Sequence, residues 1–221
     1  MAPDPRSIAA TTHGHYLVEA PQERGPHPLL VGFHGYGETA EAHLTQLRRI
    51  PGSSRCVLVS VQGLHLFYTR AGAVVASWMT KLGREQAIQD NVAYVAAVMG
   101  RLREEYGNGD VGYVGFSQGA AMAYRAAVRS GHPCQALLAI GGDMPPEIAS
   151  DESVRWPAVL LTRGETDGFF TAEKMDHDAD CLRRRGADVR TVVFDGGHEW
   201  AEPVFAAAGE ILARTLGVGR L

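Results

Sequence analysis

Cysteine is scarce in this sequence, and the few cysteines present form no pattern. The chain of 221 residues contains three of them, Cys56, Cys134 and Cys181, far apart from one another. An odd and scattered set suggests no disulfide framework, and it lacks the close spacing of cysteine metal ligands. We therefore expect a fold that is held together by its apolar core and that contains no metal site.

Long apolar runs and an excess of positive charge are also absent. No run of about 18 apolar residues occurs, so no segment is expected to span a membrane. The formal net charge of −4 gives no support for nucleic acid as a partner, because phosphate binding requires a basic surface. The first residues lack the apolar core of a secretory signal, so the cytoplasm is the expected location.

What the sequence does contain is an alternation of short apolar segments with amphipathic ones. The apolar segments, which predict strands, are residues 16–19, 29–33, 57–61, 111–114, 136–140, 158–162 and 189–194. The amphipathic segments, which predict helices, are residues 40–49, 84–105, 117–130, 172–185 and 203–215. Several strands are apolar on both faces, which is typical of a mostly parallel sheet between two helical layers. The sequence therefore predicts a single three-layer α/β domain over residues 1–221, with about seven strands and a loosely ordered segment over residues 1–15.

The sequence Gly-Phe-Ser-Gln-Gly at residues 115–119 is the most informative motif. A strand-like run precedes it and small residues follow, so it predicts the strand–turn–helix of a nucleophile elbow. Gly115 and Gly119 flank Ser117 at positions where side chains would collide across a sharp turn. We therefore interpret Ser117 as a nucleophile. The alternative is an ordinary glycine-rich turn between a strand and a helix.

A serine hydroxyl needs a neighbouring base to remove its proton, and His198 has the expected setting. The apolar strand at residues 189–194 stops, Gly196 and Gly197 turn the chain, and His198 follows. The other histidines lack this position after a late strand. We therefore predict that His198 is the base, with a surface histidine as the alternative.

A carboxylate must then orient the base, and Asp167 is the predicted acid. It follows the strand at residues 158–162 and a glycine turn, which gives the chain order serine, aspartate, histidine that is expected of an α/β-hydrolase. Glu165 lies in the same loop and Asp143 follows another strand, so both remain alternatives.

Two backbone amides are predicted to bind the negative oxygen of a tetrahedral intermediate. The amide of Gln118 directly follows the nucleophile. The second donor is predicted at Tyr36, within His-Gly-Tyr-Gly at residues 34–37, where glycines let the backbone approach a ligand closely. Gly35 is the alternative second donor.

The segment at residues 62–80 interrupts the alternation of strands and helices. It predicts a long aromatic-bearing loop, and long loops in compact domains are usually functional. Phe67, Tyr68 and Trp78 are therefore candidates for the wall of a substrate pocket. The alternative is that they only pack the loop against the body of the domain.

Four short motifs together give the chain a family resemblance over residues 28–216. They are residues 34–37, 115–119, 164–167 and Gly-His-Glu-Trp at 197–200. With them, the chain resembles the α/β-hydrolase superfamily, and within it the phospholipase/carboxylesterase branch that includes acyl-protein thioesterases. The resemblance implies an α/β-hydrolase fold without a large cap domain. It also implies a serine esterase or thioesterase that uses neither a metal nor an organic cofactor.

The sequence departs from this branch next to the predicted acid. Gly-Phe-Phe follows Asp167 where the branch commonly has Val-Pro, and we expect Phe169, Phe170 and Trp200 to line the substrate pocket. The predicted function is hydrolysis of small to medium carboxylic esters or thioesters through an acyl-enzyme. An acyltransferase with the same triad and an inert binding protein on a hydrolase scaffold are the alternatives. A homodimer is the protein partner considered.

Overall fold

The computed structural model describes residues 6–23 and 25–219, which contain nine strands and six α-helices. The strands are β1 (Tyr16–Glu19), β2 (Leu29–Phe33), β3 (Val57–Val61), β4 (His65–Tyr68), β5 (Val74–Ser77), β6 (Val111–Phe116), β7 (Ala136–Ile140), β8 (Ala158–Gly164) and β9 (Val189–Phe194). The helices are α1 (Ala40–Arg49), α2 (Arg84–Tyr106), α3 (Gln118–Arg129), α4 (Pro146–Ala149), α5 (Ala172–Arg184) and α6 (Glu202–Thr215). Every strand and helix predicted from the sequence is present, with small shifts at the ends.

Seven strands form one twisted sheet in the order β1-β3-β2-β6-β7-β8-β9. Strand β1 is antiparallel to β3, and all the other neighbours in this sheet are parallel. Every residue of the central strands β2, β6 and β7 is buried. This explains why their sequences are apolar on both faces, and the predicted fold class is confirmed.

Two apolar cores lie on opposite faces of the sheet because successive side chains of a strand point to opposite sides. In β2, Leu29, Val31 and Phe33 belong to the core that also contains the buried faces of α2, α3 and α5. Leu30 belongs to the other core, which α1 and α6 cover. The chain therefore forms the three layers that its alternation of segments predicts.

The segment at residues 62–80 is not a plain loop, which corrects the prediction. Strands β4 and β5 pair with each other as an antiparallel hairpin. The hairpin also attaches to the loop after β2, because the Gly37 amide donates to the Ala76 carbonyl and the Ala76 amide donates to the Glu38 carbonyl (2.8 and 3.0 Å). The sequence signal for this hairpin is weak because much of β4 is exposed and lacks a buried apolar face.

The N-terminal segment has no helix or strand over residues 6–15. Its end is attached to the body of the fold, because the His15 carbonyl accepts hydrogen bonds from the Gln62 amide and the Tyr94 hydroxyl. Residues 1–5 lie outside the described residues, so loose order over residues 1–15 stays a prediction, as does the single domain over residues 1–221. Within the described ranges, no helix is long and apolar enough to cross a bilayer.

A buried histidine lies between α1 and the sheet, next to β2. The side chain of His43 occupies the space that Gly32 leaves, since a Cβ added at Gly32 would lie 2.5 Å from His43 Cδ2. Its ring also packs edge-on against Trp200. Burial, with a smaller contribution from neighbouring His34, lowers the pKa of His43 from 6.5 to about 3. The fold therefore contains a histidine that stays neutral in mildly acidic solution.

We expect acidification to destabilise the fold through His43. Because folding lowers the pKa of His43, this histidine is protonated in the unfolded chain but not in the folded one between about pH 6.5 and pH 3. Its contribution to the free energy of unfolding is therefore complete above that range and is lost as the pH falls through it. Between pH 7 and pH 5 this loss is about 2 kcal/mol. Urea unfolding measures the free energy of unfolding at both pH values. Between pH 7 and pH 5 this free energy should fall by about 2 kcal/mol less in His43→Leu than in the wild type. The control is His65→Gln, at an exposed side chain, which should lose as much unfolding free energy as the wild type. Equal losses in the wild type and His43→Leu would show that His43 is not the cause of the acid sensitivity.

Candidate active site

Ser117 lies in a sharp turn between β6 and α3. Its φ and ψ are 54° and −120°, and it is the only residue other than glycine with a positive φ among those the structure describes. An L-residue in this region is strained, and such strain persists only where the surrounding contacts impose it. The Ser117 amide donates to the Ile140 carbonyl of β7 at 2.8 Å, which fixes the turn to the sheet.

The glycines of the motif allow backbone segments to approach closely at this turn. A Cβ added at Gly115 would overlap the backbone carbonyl of Gly119, and one added at Gly119 would overlap that of Phe33 in β2. Neither position can therefore accept a side chain while α3 packs directly against β6 and β2. This is the collision across the turn that the motif predicts.

The structure brings Ser117, His198 and Asp167 together in one chain of hydrogen bonds. His198 Nε2 lies 2.7 Å from Ser117 Oγ, and His198 Nδ1 lies 2.8 Å from Asp167 Oδ2. The three residues follow β6, β9 and β8, and carboxyl ends of parallel strands meet at one edge of a sheet. Contacts of this length are the ones that a nucleophile, its base and an orienting acid require.

Neither alternative acid contacts His198. Glu165 is exposed, and Asp143 Oδ2 instead lies 3.4 Å from the Lys174 ammonium. In the described part of the chain, no group of three histidine, cysteine or acidic side chains could hold a metal ion. The geometry therefore favours Asp167 over both alternatives as the partner of His198.

The buried Asp167 carboxylate is held by hydrogen bonds to both of its oxygens. Its Oδ1 accepts the amides of Phe169 and Phe170 at 2.8 and 3.0 Å, while Oδ2 faces His198. Burial alone would raise the pKa of Asp167, but the hydrogen bonds from His198 and the two amides outweigh it, and the net effect lowers the pKa. An ionised Asp167 accepts the Nδ1 proton of His198, so Nε2 is left free to accept the Ser117 proton.

The amides of Tyr36 and Gln118 both lie at the same carboxyl edge of the sheet. Gln118 is the first residue of α3, and amides in a first helical turn have no acceptor within their own helix. Tyr36 follows β2, the strand next to β6. Among the hydrogen bonds of the described residues, none uses either of these amides. Both predicted oxyanion donors are therefore available to a ligand.

Glu38, which the sequence analysis missed, holds the loop that carries Tyr36. Its Oε2 accepts the Gly35 amide at 2.7 Å. Burial raises the pKa of Glu38 above its ordinary value. On the other side of the loop, His34 Nδ1 donates to the Gly35 carbonyl and Nε2 accepts the Gly63 amide. A carboxylate just after a glycine turn was the available sequence signal for Glu38.

The side chain of Gln118 connects the β4–β5 hairpin to the nucleophile turn. Its Oε1 accepts the Trp78 amide at 2.8 Å and the Ser77 hydroxyl at 3.2 Å. Its Nε2 donates to the Met79 carbonyl at 3.1 Å. Gln118 thus has two distinct uses, because its side chain binds the segment after the hairpin while its backbone amide stays free.

An open cavity of about 280 Å³ adjoins Ser117. Its lining includes Met79, Arg84, Ser117, Gln118, Phe169 and Lys174. Phe169 was predicted to line the pocket and is 73% exposed. Trp78 and Phe170 were predicted there as well, but they are 0% and 1% exposed and pack in the core, which corrects the expectation for both. Trp78 Nε1 also donates to the His34 carbonyl, an internal contact that a sequence pattern does not show.

The other three predicted pocket residues lie around the site without lining this cavity. Phe67 stacks on Tyr36 with ring centroids 5.4 Å apart, and Tyr68 is 75% exposed on the hairpin. Trp200 stacks on Phe205 at 5.3 Å and is partly buried against the core that α6 covers. These aromatic side chains therefore support the rim of the site or face solvent.

Comparisons with known proteins extend these observations. The model of the phospholipase/carboxylesterase family matches residues 13–216. A search of curated protein sequences finds no match. Among solved structures, esterase PE8 is similar with a TM-score of 0.72 and 24% identity, over 92% of this chain and 98% of its own.

Two further structures show the same fold at lower identity. A carboxylesterase from Mesorhizobium loti has a TM-score of 0.73 and 18% identity, over 90% of this chain and 94% of its own. Acyl-protein thioesterase 2 from Zea mays has a TM-score of 0.69 and 18% identity, over 93% of this chain and 100% of its own. With the family model covering nearly the whole sequence, the chain belongs to the phospholipase/carboxylesterase family of ester-hydrolysing α/β-hydrolases.

Proposed function

We propose that the chain hydrolyses small to medium carboxylic esters or thioesters through an acyl-enzyme on Ser117. The observation that carries this proposal is the continuous hydrogen-bond chain from Asp167 through His198 to Ser117, beside an open cavity. The volume of that cavity, about 280 Å³, supports substrates of modest size. A single domain over residues 1–221, a cytoplasmic location and a homodimer stay predictions.

In the first step, Ser117 Oγ attacks the carbonyl carbon of the ester while His198 Nε2 takes the hydroxyl proton. The carbonyl oxygen becomes negative and accepts hydrogen bonds from the Tyr36 and Gln118 amides. His198 then returns the proton to the leaving alcohol or thiol, and the bond to the leaving group breaks. The acyl group remains on Ser117 as an ester.

In the second step, water takes the place of the leaving group. His198 removes a proton from the water as its oxygen attacks the acyl carbon, and the same two amides again bind the negative oxygen. His198 then protonates Ser117 Oγ, which releases the carboxylic acid. Asp167 stabilises the positive imidazole in both steps and keeps Nδ1 protonated between them.

A fluorophosphonate probe and rapid-mixing kinetics test this proposal together. We expect the probe to label Ser117 at one site per chain, and a p-nitrophenyl ester to protect against labelling. Rapid mixing with p-nitrophenyl esters should show a burst of product, because the acyl-enzyme accumulates. Added alcohols that divert most of the acyl group from water would indicate the acyltransferase instead. Absence of labelling would favour the inert binding protein.

A further inference from the structure

The cavity beside Ser117 is lined by three charged side chains, and they are not equally compensated. Lys174 Nζ donates to the Phe169 carbonyl at 2.9 Å and lies 3.4 Å from Asp143 Oδ2. Both Lys174 and Asp143 line the cavity, so much of their charge cancels locally. The third charged residue, Arg84, therefore determines the net charge of the lining.

Arg84 has no carboxylate partner in residues 6–23 and 25–219. Its Nη1 instead lies 3.1 Å from the sulfur of Met79, another lining residue. A thioether is a weak acceptor and leaves the other guanidinium donors free. The Arg84 side chain is exposed and lines the cavity that adjoins Ser117, so its guanidinium is available to an anionic ligand.

A second guanidinium lies behind Met79, but it has a carboxylate partner. Arg125 Nη1 lies 4.0 Å from the same sulfur, and its side chain is fully buried. Glu147 pairs with Arg125 at 2.7 Å, so the charge of Arg125 is compensated locally. Burial in the first place, and the neighbouring Arg84 in addition, lower the pKa of Arg125. Among the charged residues of this lining that the structure describes, Arg84 is therefore the one without a carboxylate partner.

The position of His198 indicates which part of a substrate meets the wall that contains Arg84 and Met79. His198 must protonate the leaving group, so the alcohol lies on the side of Ser117 that faces its imidazole. Among the lining residues, Phe169 packs against the His198 ring with centroids 5.0 Å apart, whereas Arg84 contacts Met79, whose carbonyl accepts a hydrogen bond from the Gln118 side chain. The part of the cavity that Arg84 lines is therefore on the Gln118 side of Ser117, and we assign the acyl chain to it.

We propose, on the basis of the proposed function, that Arg84 makes this enzyme prefer esters whose acyl chain ends in a carboxylate. A carboxylate can accept two parallel hydrogen bonds from one guanidinium, a geometry that fixes position as well as charge. The substrate class is thus a half-ester of a short dicarboxylic acid. The bond that is broken and the atoms that move are those of the acyl-enzyme mechanism.

Two substrates that differ only at the end of the acyl chain test this inference. The anionic one is the p-nitrophenyl half-ester of adipic acid, and the neutral one is p-nitrophenyl hexanoate. We define the anion preference as kcat/KM for the first divided by kcat/KM for the second. Arg84→Gln should lower this preference about tenfold, as loss of a charge-assisted bidentate contact does. Added salt should lower the wild-type preference but leave that of Arg84→Gln nearly constant.

Two further variants complete the test: one should raise the anion preference, and the other is a control that should leave it unchanged. Asp143→Asn removes the acid that compensates Lys174, so the anion preference should rise. Arg101→Gln removes one charge from the same helix about 25 Å away, at a side chain that is 76% exposed and paired with Glu104, and should leave the preference unchanged.

The outcomes separate this inference from the function on which it rests. Hydrolysis of hexanoate with equal anion preference in wild type and Arg84→Gln would overturn the role of Arg84 and leave the esterase intact. A fall in preference in Asp143→Asn would also overturn it. If the wild type hydrolyses neither ester, the proposed function fails and the inference fails with it.

Discussion

Alanine in place of Ser117 is expected to lower kcat for ester hydrolysis about 10⁶-fold, as loss of a triad nucleophile does in serine hydrolases. The reason is that Ser117 Oγ is the atom that would form the acyl-enzyme, and it is the hydroxyl that His198 Nε2 contacts. Hydrolysis of p-nitrophenyl esters and labelling by a fluorophosphonate probe both measure the loss. Retention of more than a few per cent of the activity would remove Ser117 from the mechanism.

The strain at Ser117 supplies the control for this variant. Alanine adopts the φ of 54° with the same steric cost as serine, so thermal unfolding of Ser117→Ala should match the wild type closely. Glycine is free of that cost, and Ser117→Gly should be more stable by about 1 kcal/mol although equally inactive. If Ser117→Ala unfolds, its inactivity says nothing about chemistry, and the folded Ser117→Gly variant then tests the nucleophile.

Asparagine in place of Asp167 is expected to lower kcat about 10⁴-fold, a loss typical of this change in a triad. The Phe169 and Phe170 amides require an acceptor at the position of Oδ1, so the asparagine oxygen takes that place and its NH₂ group faces His198. An NH₂ group only donates, which forces the imidazole proton from Nδ1 to Nε2. Nε2 can then no longer accept the Ser117 proton.

Glu165→Gln is the matched control for Asp167→Asn. It removes a carboxylate from the same loop, but the Glu165 side chain is exposed and does not contact His198. Its kcat for p-nitrophenyl esters should stay within about twofold of the wild type, as for most surface changes. An equal loss in both variants would show that the charge of the loop, and not the tautomer of His198, determines the rate.

The sequence was sufficient for the sheet and for the triad geometry because both follow from local patterns. Strands such as β2 and β6 are buried on both faces, and an apolar run records that burial directly. Ser117, Asp167 and His198 each follow a strand and a glycine turn, and parallel strands deliver such turns to one edge. Parallel strands of one sheet thus bring motifs that are far apart in the sequence close together in space.

The substrate pocket was predicted less well because burial of an aromatic side chain depends on tertiary contacts. Trp78 was a candidate for the wall of the substrate pocket, with packing against the body of the domain as the alternative. Its ring lies in the core beside Phe33 and its indole donates to the His34 carbonyl, which agrees with the alternative. Arg84 gave no signal in the sequence, because its lack of a carboxylate partner among the described residues is a feature of the tertiary structure. Neither fact is recorded in the spacing of residues along the chain.

The β4–β5 hairpin has a consequence for how this site responds to change. It contacts the Tyr36 loop through Ala76, and the residues at its end contact the Gln118 side chain through Trp78 and Ser77. The hairpin therefore links the loop that carries the Tyr36 amide to the residue that carries the Gln118 amide. We therefore expect mutations in its solvent-facing turn to change the rate of ester hydrolysis without altering a group that takes part in the reaction.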